Sequence, residues 1–177
     1  MDLLRTIIES QGGGFAQQIA KQLGVAPADA ENVIGQIAPA LGRGLARNSG
    51  SADGLDALLG ALKKGGHARY LEDPSLAVEP SGVDEGNKIL GHILGSKDVS
   101  RQLASRASEQ TGVEGSLIKK MLPMIATMAM GALSNKSAES AGTRDGLGGL
   151  LGTFLGADDD NSMVDDLLGI AGKLFSK

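Results

Sequence analysis

Apolar residues recur along this chain at the three- and four-residue spacing of a helix face, and no stretch alternates over the length of a strand. Leu3, Leu4, Ile7 and Ile8 form one stripe, ended by Gly12-Gly13-Gly14. Phe15, Ile19, Ala20 and Leu23 form the next, with Gly24 placed as its left-handed C-terminal stop. Pro27 suits the first turn of a third helix carrying Val33, Ile34, Ile37, Leu41 and Leu45. Asp29 and Glu31 lie near its positive end, and Pro39 predicts a kink about one turn earlier. A fourth, short helix is predicted over residues 54–63, capped by Ser51 or Asp53. Residues 64–86, with Pro74, Pro80 and few large apolar side chains, read as a long linker.

Beyond that linker the pattern begins again. Leu90, Ile93, Leu94 and Ser96 repeat Leu4, Ile7, Ile8 and Ser10. Leu103, Ala104, Gly112, Val113, Ile125 and Leu133 repeat Phe15, Ala16, Gly24, Val25, Ile37 and Leu45, with Asn135 answering Asn48. Pro123 lies inside the third helix of this second unit as Pro39 lies inside that of the first. The expected architecture is all-α: related three-helix units at 1–63 and 87–136, a connection at 64–86, and a glycine-rich tail at 137–177 with two short helices. One shared compact domain is expected.

Leu-Leu-Gly recurs at residues 58–60, 150–152 and 167–169, and Ile-Leu-Gly at 89–91 and 93–95. Interior glycine costs a helix about 1 kcal/mol relative to alanine. The pattern implies either short buried helices with glycine stops or a seam where backbones approach closely. As a seam between copies or partners, the candidates are Leu150, Leu151, Gly152, Leu167, Leu168 and Gly169.

The phrase Gly86-Asn87-Lys88-Ile89-Leu90-Gly91-His92-Ile93-Leu94-Gly95 resembles a hallmark of the YidB-like bacterial family, a domain of unknown function (DUF937). The opening MDLLRTII and GGGFAQQIAKQLGV and the tail GLGGLLGTFLG resemble that family too. The resemblance implies an all-helical bacterial protein and no catalytic residue, and it marks Gly91, His92 and Gly95 as a candidate functional or structural motif.

Composition narrows the chemistry. The 177 residues are 41% apolar but only 2% aromatic, so the core is built from aliphatic side chains and methionine. No cysteine is present, which excludes thiolate catalysis, disulfides and zinc–cysteine sites. A formal charge of −4 offers no bulk attraction to nucleic acid or anionic lipid. The N-terminus, with Asp2 and Glu9 around a short apolar run, does not read as a secretory signal, and the 121–133 apolar run is short for a membrane span. A cytoplasmic location is expected.

No catalytic constellation, cofactor site or metal site is read from the chain. His92, between Leu90 and Ile93 on an apolar helix, is expected to be a partly buried structural histidine, and His67, in a Gly-Gly-His-Ala loop, to be solvated. The run Asp158-Asp159-Asp160-Asn161-Ser162 lacks the glycine and glutamate of a calcium loop. Ser162 and Asp165 there approximate a capping box for a final helix. Residues 16–34 are similar to a repressor helix-turn-helix, which makes Asn32, Gln36, Lys119 and Lys120 the alternative DNA contacts, against the repulsion of Asp29 and Glu31. Peripheral membrane association through the tail is a further alternative, against its acidic polar face. The leading expectation is a non-enzymatic interaction or assembly protein, partnered by itself or by another protein.

Overall fold

The computed structural model describes residues 14–139, which form eight helices and no strand. They are α1 (Gly14–Leu23), α2 (Pro27–Ser49), α3 (Ala52–Lys64), α4 (Arg69–Glu72), α5 (Ser75–Val78), α6 (Pro80–Leu94), α7 (Lys97–Thr111) and α8 (Gly115–Glu139). Their ends follow from local chemistry. Gly24, Gly95 and Gly112 close α1, α6 and α7 with φ of 70°, 74° and 75°, a left-handed geometry that glycine adopts without steric cost. Ser51 and Ser96 accept hydrogen bonds from the backbone N–H of Gly54 (3.1 Å) and Val99 (3.3 Å), capping α3 and α7. Pro27 and Pro80 occupy the first turns of α2 and α6, where a missing N–H costs nothing. Both α2 and α8 run continuously through their internal prolines, Pro39 and Pro123.

The centre of the fold is α8, which packs against each of the other seven helices. Every side chain from Met121 to Leu133 is buried, as an all-round apolar helix requires. The stretch Gly115–Asn135 has the length and apolarity of a membrane span, and 78% of its apolar 18-residue window is buried inside this fold. A single aliphatic core gathers Phe15, Ile19, Ile37 and Leu41 from α1 and α2 with Ile118, Met121, Leu122, Ile125, Met128 and Leu133 from α8. Burial of such side chains at about 25 cal/mol per Å² is the dominant favourable term.

The segment 64–86 is not a linker. It holds α4, α5 and the first half of α6, and it buries Tyr70, Leu71, Ala77 and Val78 in the same core. Its prolines start helical turns: Pro74 stands before α5 and Pro80 opens α6. The order helix, left-handed glycine, valine, proline-containing helix occurs at α1–α2 and again at α7–α8.

The described glycines divide into two kinds. Gly35, Gly60 and Gly91 have open space where a Cβ would stand. At Gly86 a Cβ would lie 2.0 Å from the Pro123 carbonyl oxygen, and at Gly82 one would lie 2.1 Å from that of Leu76. At Gly44 a Cβ would lie 2.7 Å from the Ile93 Cγ2 methyl and 3.0 Å from the Ile93 carbonyl oxygen. Along the α6–α8 crossing, Thr127, fully buried, donates its hydroxyl to the Gly82 and Pro123 carbonyls at 2.8 and 3.0 Å. Close approach therefore occurs within the chain, at Gly-x-x-x-Gly spacing on α6. It does not occur at the Leu-Leu-Gly of residues 58–60. The tail runs at 150–152 and 167–169 lie outside the described residues.

Candidate functional site

The turn after α3 reads Gly65-Gly66-His67, and it folds the imidazole inward. Gly66 has a φ of 54°, which reverses the chain. A Cβ on Gly65 would lie 1.9 Å from His67 Nε2, so the ring occupies the space that a side chain there would fill. A Cβ on Gly131 of α8 would lie 2.8 Å from the His67 carbonyl oxygen, so that glycine lets the turn close on the core helix. The result is a histidine only 5% exposed, contrary to the solvated loop residue read from the sequence.

Four polar side chains meet there. His67 Nδ1 lies 2.9 Å from Glu85 Oε1 on α6, but off the axis of a ring N–H, so the atom is buried without a hydrogen bond. The Tyr70 hydroxyl donates to Glu85 Oε2. Arg69 Nη2 donates to the Tyr70 hydroxyl at 2.8 Å and to Glu85 Oε2 at 3.2 Å, with its guanidinium carbon 4.8 Å from the Tyr70 ring centroid. Burial pushes the His67 imidazole below its ordinary pKa, Glu85 opposes this, and Arg69 adds to it. Burial also raises the Tyr70 phenol, and its hydrogen bond to Glu85 adds to the rise. The Tyr70 phenol and the Arg69 guanidinium, both donating to Glu85 Oε2, make a structural clasp between α4 and α6.

Beside this clasp opens a cavity of about 320 Å³ between α2, α3, α6 and α8. Leu45, Leu58, Ile89, Ile93 and Met130 form its walls, with His67 and Glu85 at one side. Exposed Lys64, Lys88 and His92 also line it. His92 is thus a solvent-facing residue at the cavity, not the partly buried structural histidine expected from its apolar neighbours. The turn of α6 that buries Ile89 and Leu90 presents position 92 outward. Of the remaining family-motif positions, Gly91 is exposed and meets no neighbour, and Gly95 is the left-handed stop of α6.

The alternative DNA contacts do not converge on one cavity. Asn32 and Gln36 are exposed on α2 and line none of the three cavities described here. Lys119, exposed on α8, borders a groove of about 630 Å³ with Lys97 and Arg101, while Lys120 is exposed beside it in sequence. Among the described residues no three His, Asp or Glu side chains are grouped to hold a metal ion. The acidic run at 158–162 and the candidate seam Leu150, Leu151, Gly152, Leu167, Leu168 and Gly169 lie outside the described residues.

Sequence reasoning missed His67, Tyr70 and Glu85. The available signal was the glycine pair before His67 and the single tyrosine of the chain, which stands next to Leu71 in a segment read as linker. A comparison with curated proteins and one with solved structures find no match. A family described as a bacterial protein of unknown function (DUF937) matches residues 5–136, well over half of the chain, and the chain belongs to that family.

Proposed function

We propose that this protein is a non-enzymatic interaction module that receives an aliphatic side chain of a partner helix in the cavity between α2, α3, α6 and α8. The observation that carries this reading is the cavity itself. Its walls are aliphatic, its volume of about 320 Å³ is enough for a leucine-sized group, and it stands open to solvent. Lys64 and Lys88 at its opening favour a partner with acidic residues beside the inserted side chain. The polar cluster alongside supports a binding reading over a catalytic one. Tyr70 and Arg69 both donate to Glu85 Oε2, which joins α4 to α6 and commits these side chains to holding the fold.

Titration with anilinonaphthalene sulfonate, an aromatic anion that fluoresces in apolar sites, tests the cavity. One saturable site is expected in the folded chain. Ala61→Phe, which projects a ring from the exposed face of α3 into the opening, is expected to weaken binding by about tenfold or more while the melting temperature holds. Unsaturable binding, or equal binding by the variant, contradicts the reading.

A further inference from the structure

A second groove lies on the other side of the α2–α6 crossing and shares only Ile93 with the cavity above. It has a volume of about 260 Å³ and is bordered by α2, the end of α6 and α7. Its floor is aliphatic, formed by Ile93, Leu94, Val99 and Leu103. Val99, 42% exposed, is the one large apolar side chain on the surface among the described residues. Three exposed arginines, Arg43, Arg47 and Arg106, stand around that floor, and no acidic residue lines it. None of the three has an ion-pair partner among the described residues. Arg43 and Arg47 are one helical turn apart on α2, so both project to the same side.

The chain carries a complementary segment of its own. Residues 157–172 hold five aspartates and no basic residue, whereas the rest of the chain nets +1. Val164, Leu167, Leu168, Ala171 and Phe175 recur there at helical spacing beside Asp165 and Asp166. An apolar helical stripe with acidic neighbours is the usual counterpart of an aliphatic groove bordered by arginines. Eighteen residues separate Glu139, the end of α8, from Asp158. Fully extended, they span about 60 Å, more than the ~35 Å diameter of a compact domain of this size. Eighteen residues are therefore long enough to bring the segment to any face of the described fold.

We infer that the acidic, leucine-bearing segment 158–175 docks in cis into the Arg43–Arg47–Arg106 groove, covering Val99. The inference is independent of the cavity reading, since the groove is a separate surface.

The full chain has no cysteine, so a single engineered pair reports docking. With oxidised glutathione as the oxidant, itself reduced to two thiols, Gln102→Cys together with Leu168→Cys is expected to give a disulfide within one chain, at a rate that does not change on dilution of the protein. High salt is expected to slow it. Arg43→Glu with Arg47→Glu, or Asp165→Lys with Asp166→Lys, is expected to slow it about fivefold or more, and the two pairs combined to restore it. Circular dichroism checks that each variant folds. Should the glutamate pair fail that check, Arg47→Gln serves in its place and predicts a smaller slowing and a weaker salt dependence. Equal rates in all variants, or a product that forms only between chains, overturns the inference.

Discussion

His67 shows how much a single side chain depends on residues that have none. Gly65 and Gly66 turn it inward, Gly131 makes room for its backbone, and Glu85 faces it without forming a hydrogen bond. An imidazole buried this way is held below its ordinary pKa, mainly by loss of water. The sign of the pH effect follows. Between the depressed folded value and the unfolded value of about 6.5, the unfolded chain binds more protons, so stability rises with pH through that window. Above it, the contribution of His67 is constant. Urea titrations on either side of the window are expected to show stability falling as pH drops below about 6.5, with a shallower fall in His67→Gln. An unchanged slope in that variant shows that His67 is not the group responsible.

At the level of elements, the fold depends on α6 meeting α8 at backbone distance. The seam uses Gly82, Gly86, Pro123 and Thr127, and only glycine fits at position 86. Gly86→Ala places a methyl against a backbone oxygen and is expected to cost about 2 kcal/mol or more by overpacking. Gly35→Ala, in the interior of α2 with open space around it, is expected to stabilise by about 0.5–1 kcal/mol through helix propensity. Denaturant midpoints of the two variants moving in the same direction would show that the two kinds of glycine are not distinct. The helices α1, α2, α3 and α8 were legible in the sequence because their apolar residues keep one period and their ends carry proline, serine or glycine. The elements in 64–79 were not, because helices of four residues are shorter than the window in which periodicity shows. Nothing in the local sequence ties Glu85 to Tyr70 and Arg69, and only tertiary contact singles it out.

For the molecule as a whole, a low-aromatic core is closed by one buried helix, and two of the openings among the described residues differ in character. One is an aliphatic cavity beside a buried histidine, the other an arginine-bordered groove with an exposed valine. The proposed reception of a partner helix rests on the first of them. Methyl-resolved NMR of the full chain, titrated with anilinonaphthalene sulfonate, locates binding directly. The methyls of Leu58, Ile89, Ile93 and Met130 are predicted to shift together and saturate, while those of the core residues Ile37 and Ile118 stay in place. Shifts scattered over the surface, or a cavity whose methyls do not respond, would contradict the account.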